Sequence, residues 1–133
     1  RGALGVLFGS LLAARLGCVT PIQIDGISML PTLRPGQYAI ADRTAYWFHP
    51  PRRGDIVCVS TGHEYLAKRV IGLPGETVEL RAGTLRVNGR PEREPYARPA
   101  RLWNVAPGRL APGVFAVLGD NREVAPCQQT LAR

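Results

Sequence analysis

Turn-forming residues recur along this chain at intervals too short for long helices. Pro35-Gly36, His49-Pro50-Pro51, Thr61-Gly62, Gly72-Leu73-Pro74-Gly75, Ala82-Gly83 and Asn88-Gly89 divide the sequence after Val19 into short apolar-rich runs. Proline presets φ and lacks a backbone donor, while glycine and asparagine accept positive φ, so each group ends a regular element and turns the chain. The first run alternates, with Ile22 and Ile24 apolar against Gln23 and Asp25, which predicts a half-buried strand. Further strands are expected over Tyr38 to Asp42, Ile56 to Ser60, Glu64 to Leu73, Thr77 to Leu80, Thr84 to Val87 and Gly113 to Leu118. The third and fourth of these seven runs pair off as one hairpin and the fifth and sixth as another, and Pro91 to Pro112 reads as a proline- and arginine-rich loop. Short strands with no helix between them predict a mainly β fold, an antiparallel folded sheet or partly open barrel.

With 133 residues, 45% of them apolar and 20% charged, the chain is suited to one ordered domain with a modest core. Its net charge of +7 favours anionic partners, phospholipid head groups or nucleic acid, and sign alone does not choose between them. The basic residues are scattered from Arg1 to Arg133 without a dense block, as on a solvated surface. Tyr38, Tyr46, Trp47, Phe48 and Trp103 form no evident stacking stripe, so no nucleic-acid partner is expected, and a basic nucleic-acid-binding β-barrel stands as the non-enzymatic alternative. Cys18, Cys58 and Cys127 have neither metal-ligand nor disulfide-framework spacing, so they suggest no zinc site and leave the redox compartment open. Cys58, within Ile56-Val57-Cys58-Val59, reads as a buried small hydrophobe. The chain begins at Arg1 and not at methionine, and Ala3 to Ala14 is an apolar stretch closed by Arg15. It is shorter than the roughly 20 residues a spanning helix needs. The expectation is that residues 1–17 are the helical end of a membrane anchor that begins upstream, with a surface or core helix and a cleaved signal peptide as the competing readings, and that 18–133 form the β-rich domain.

Chemistry has few candidates. The serines are Ser10, Ser28 and Ser60, and the histidines His49 and His63. Ser10 lies in the apolar segment, and Ser60 ends a strand where serine commonly bonds its own turn. Ser28, in Gly26-Ile27-Ser28-Met29-Leu30-Pro31, follows a strand and sits between a permissive glycine and a chain-turning proline, a place where a hydroxyl can be exposed and rigidly aimed. Lys68 is the single lysine in a chain whose other basic residues are arginines. A period of two puts it on one strand face with Leu66 and Val70, so its ammonium projects among aliphatic groups. Such a site favours the neutral amine, which a lysine acting as a general base requires and an arginine cannot supply. The competing reading is an edge-strand lysine that snorkels to solvent.

These residues resemble the type I signal peptidases, membrane-anchored serine proteases with a Ser/Lys dyad. The similarity lies in ordered blocks: residues 26–33 (GISMLPTL) resemble the nucleophile box, 53–57 (RGDIV) the next strand box, 68–76 (KRVIGLPGE) the lysine box, and 119–122 (GDNR) the start of the last box. The resemblance implies that Ser28 is the nucleophile and Lys68 its general base, that the Ser28 backbone N–H meets the oxyanion, and that no metal or cofactor is needed. Some family members add a hydroxyl two positions earlier, where this chain has Gly26. It further implies that Ile22, Ile24, Met29, Leu33, Leu66 and Ala67 line shallow pockets for small residues before the cut. Met29 and nearby apolar residues are also expected at a membrane-facing surface. Secretory preproteins and membrane lipid are the implied partners, with the domain on the extracytoplasmic side. After GDNR the family usually has a serine that bonds the lysine and then an Asp-Ser-Arg group, where this chain has Ala125, Cys127, Gln128 and Gln129; it also ends at Arg133, where the family commonly continues. A catalytically weakened relative is therefore one alternative. A self-cleaving Ser/Lys regulator protease similar to the SOS repressors is the other.

Overall fold

The computed structural model describes residues 18–62, 64–98, 103–124 and 131–132, the last two for their backbone only. The expected N-terminal anchor helix and the altered positions 125–129 lie outside the described residues. The described elements are all strands: β1 Val19–Gln23, β2 Tyr38–Asp42, β3 Ile56–Ser60, β4 Tyr65–Gly72, β5 Thr77–Arg81, β6 Thr84–Val87, β7 Arg90–Pro91, β8 Val105–Arg109, β9 Phe115–Leu118 and β10 Leu131–Ala132. They form three antiparallel sheets, β1-β2, β10-β9-β4-β3 and β7-β6-β5-β8.

Local chemistry accounts for the turns. Gly36 has φ +80 and the Gln37 N–H donates to Arg34 O at 3.1 Å, closing the turn that the Pro35-Gly36 pair predicts. Ala82-Gly83 and Asn88-Gly89 each place two successive residues at positive φ, the type I′ geometry whose twist suits hairpins, and they join β5 to β6 and β6 to β7. The predicted hairpins β3-β4 and β5-β6 both form. The expectation of a loop over Pro91 to Pro112 is corrected in part. Val105–Arg109 is strand β8 on the open edge of β5, although its Ala-Pro-Gly centre carries no strand-like pattern.

The two larger sheets share one core. Ile71 of β4 and Ala116 and Leu118 of β9 meet Leu80, Leu85 and Val87 of the other sheet, with Leu110 beneath. On the opposite face of β4, Val70 packs with Val59 and Val117. Because β4 is covered on both sides, its second half is buried continuously from Lys68 to Gly72, and alternation in sequence does not appear there as alternation in exposure. Two expectations about burial are overturned. Cys58 is exposed, because the strand period turns it away from the face on which Val59 is buried. Met29 is only 1% exposed, so it is a core residue and takes no part in a lipid-facing surface.

Candidate active site

Ser28 sits in a tight irregular segment after β1. Leu30 N–H donates to Ile27 O at 3.2 Å, Leu33 N–H donates to Met29 O at 2.9 Å, and the Leu30–Pro31 peptide is cis. The segment rests on the chain that leaves β9. Asn121 N–H donates to Ser28 O at 2.9 Å and Asn121 Nδ2 donates to Ile27 O at 3.1 Å. A Cβ on Gly119 would overlap the Ser28 carbonyl, so only glycine allows this approach.

Lys68 reaches the same place from the middle of β4, where Val57 of β3 is its cross-strand partner. Its side chain is 2% exposed and its Nζ donates to Ser28 Oγ at 3.0 Å. Burial pushes the Lys68 amine below its ordinary value, and the negative charge of Glu64 opposes this in part. Two side chains separated by 40 positions thus share a hydrogen bond in a place that disfavours the ammonium. An amine there can accept the hydroxyl proton, and the resulting alkoxide-like oxygen can attack a carbonyl.

Next to this pair runs a charged network that sequence reasoning left without a role. Arg69 donates through Nε and Nη2 to the two oxygens of Asp120, at 2.8 and 2.6 Å, and through Nη1 to Gly54 O at 2.6 Å. Asp120 is fully buried and also accepts from Thr32 Oγ1 at 2.5 Å. The Arg69 guanidinium lies 4.0 Å over the Tyr96 ring, and Arg122 pairs with Glu94 at 2.5 Å while donating to Gly119 O. Burial and, after it, the Glu94 carboxylate raise the Tyr96 phenol above its usual range. The signal for this network was the charged string GDNR directly after an apolar strand, since charges placed where a core continues require partners.

Of the expected pocket residues, Ile24 and Met29 are buried, whereas Ile22, Leu33, Leu66 and Ala67 are half-buried. Ile24 is fastened on both backbone sides, donating to Gln37 O at 2.9 Å and accepting from Gly36 N–H at 2.7 Å. Among the described residues, no group of histidine, cysteine and carboxylate side chains could hold a metal ion. No helix among them is long and apolar enough to cross a membrane.

The family described as signal peptidase, peptidase S26, matches residues 2–125. Signal peptidase I of Leptolyngbya laminosa is 40% identical over 109 residues, covering 74% of this chain and 54% of the relative. Probable signal peptidase I-1 of Synechocystis is 35% identical over 122 residues, covering 84% and 62%, and signal peptidase I T of Bacillus subtilis is 35% identical over 114 residues, covering 77% and 59%. The chain spans little more than half the length of the curated relatives it matches.

Proposed function

The chain belongs to the signal peptidase family, peptidase S26, and from that premise we propose that it is a serine endopeptidase that removes signal peptides from exported preproteins, with Ser28 as nucleophile and Lys68 as general base. The observation that carries the reading is the 3.0 Å contact between Lys68 Nζ and Ser28 Oγ, with the amine buried and its pKa lowered by that burial.

In this mechanism neutral Lys68 takes the proton from Ser28 Oγ as the oxygen adds to the scissile carbonyl. The oxyanion is met by the Ser28 N–H. The Lys68 ammonium then gives its proton to the leaving amine, and an acyl-enzyme remains on Oγ. Water, deprotonated by the same amine, attacks the ester, and the resulting ammonium returns the proton to Ser28 Oγ as it leaves, which restores both groups. Ile22, Ile24, Met29, Leu33, Leu66 and Ala67 are proposed to line or support shallow pockets that admit only small residues before the cut. We also assign the finer fold type, the folded-sheet or partly open barrel domain of signal peptidases, over 18–133, and a membrane-anchored, extracytoplasmic location with 1–17 as the end of the anchor. Exposed Tyr38, Ile40, Trp47 and Phe48 support contact with lipid.

The test is incubation of the full chain, reconstituted in lipid, with a preprotein carrying an Ala-x-Ala site, followed by mass analysis of the new N-terminus. Cleavage after the second alanine is expected, with activity lost by at least about a thousand-fold in Ser28→Ala and Lys68→Ala, because the two groups act as a unit. Lys68→Arg should be equally inactive. Activity retained in Lys68→Arg would remove Lys68 as the proton acceptor.

A further inference from the structure

Asn121 touches both peptide units that flank the Ser28 Cα. Its backbone N–H holds the Ser28 carbonyl and its side-chain Nδ2 holds the Ile27 carbonyl. The side-chain amide is itself oriented, since its Oδ1 accepts from Glu123 N–H at 3.2 Å and the residue is buried. The Ile27 carbonyl and the Ser28 N–H belong to one peptide plane, and that peptide is trans. In a trans peptide the C=O and N–H point in opposite directions, so fixing the oxygen from one side aims the hydrogen to the other. The Ile27 oxygen accepts from Leu30 N–H as well as from Asn121 Nδ2. An amide whose oxygen accepts hydrogen bonds is a stronger donor at its nitrogen. The Ser28 N–H itself donates to no group among the described residues.

We propose that Asn121 is the positioning residue for the oxyanion site: by holding the Ile27 and Ser28 carbonyls it aims and polarises the Ser28 N–H toward the developing negative oxygen. This rests on the serine-protease reading above. It matters more in this chain because Gly26 offers no second side-chain donor. Asn121 bonds the carbonyls on either side of the Ser28 Cα and not Ser28 Oγ or Lys68 Nζ. It acts through the peptide, so its removal should weaken binding of a tetrahedral oxyanion more than binding of an uncut peptide.

The experiment compares wild type, Asn121→Ala and Asn121→Asp, the last keeping the acceptor for Glu123 N–H while losing the donor to Ile27 O. Three quantities are measured: kcat and KM for the preprotein, inhibition by a peptide aldehyde ending in alaninal, and affinity for the uncut peptide in a Ser28→Ala background. The expected result is a fall in kcat of roughly 10- to 100-fold, KM and uncut-peptide affinity within about two-fold, and weaker aldehyde inhibition by a factor that matches the fall in kcat. Unchanged kcat and aldehyde inhibition, with Ser28→Ala inactive, overturn the role of Asn121 and leave the dyad standing. Equal losses for aldehyde and uncut peptide overturn it too, since they mark a collapsed site, as does loss of the fold in both variants. Full activity in Ser28→Ala overturns the protease reading and this proposal together.

Discussion

Lys68 is the residue on which stability and the proposed chemistry compete. Its pKa in the folded chain is lowered by burial, so between that value and the ordinary one of about 10.4 the unfolded chain holds a proton that the folded chain does not. Stability contributed by this residue therefore rises with pH across that window and is least at lower pH, where folding must bury an ammonium. Lys68→Met should be more stable than the wild type at neutral pH, with the difference shrinking as pH approaches the ordinary lysine value; urea unfolding at a series of pH values measures it. Glu64 raises the Lys68 pKa by its charge, so Glu64→Gln should move the acidic limb of the kcat/KM profile toward lower pH. Asp120 is a different case. It is buried against Arg69, and Asp120→Ala leaves that guanidinium without its carboxylate, a loss of about 3–5 kcal/mol in denaturant unfolding. Gly26 has open space where a Cβ would stand, so Gly26→Ser fits, and under the serine-protease mechanism proposed above its hydroxyl would offer a second oxyanion donor. A gain in kcat of about ten-fold, or about 1.4 kcal/mol, is expected.

Strand β4 and the hairpin that follows it show how local geometry serves the core. Gly72 ends β4 where a Cβ would stand 2.5 Å from Val78 Cγ2 and 2.9 Å from Leu110 Cδ1. Those atoms belong to the core shared by the two larger sheets, so Gly72→Ala should cost about 1–3 kcal/mol through overpacking. Ala82 presents the opposite opportunity. It adopts φ +48 in the type I′ turn between β5 and β6, a conformation that Asn tolerates better than Ala. Its backbone N–H bond to Asn104 Oδ1 does not depend on the side chain. Ala82→Asn should therefore raise the melting temperature, by the equivalent of about 0.5–1 kcal/mol, with no change in KM.

Charge and exposed apolar surface together bear on where the chain works. Phe48 is 93% exposed and Trp47, Tyr38 and Ile40 are also largely exposed, on β2 and the segment that follows it. A chain with net charge +7 and such a surface should bind anionic vesicles through two separable contributions, one weakened by salt and one not. Replacing Trp47 and Phe48 together by serine should reduce the salt-resistant part of vesicle co-sedimentation by ten-fold or more, while cleavage of a soluble peptide stays unchanged.

What could be read from the chain alone follows from interactions between near neighbours. Apolar alternation and the glycine, proline and asparagine pairs depend on residues a few positions apart, and they delivered β2 over Tyr38–Asp42, both main hairpins and the placement of Lys68 on the face of Leu66 and Val70. Ser28 and Lys68 stood out for the same reason, one by its turn and one by its strand. Strand β8 was not legible, because Val105–Arg109 is extended through pairing with β5 and not through its own pattern. Nor could alternation reveal that β4 is buried on both faces, since that depends on a second sheet arriving from elsewhere in the chain. The partnership of Arg69 with Asp120 joins positions 51 apart, and the hold of Asn121 on Ile27 joins positions 94 apart. Only the tertiary structure decided these contacts, because a buried charge or amide specifies that it needs a partner, and chain closure determines which one arrives.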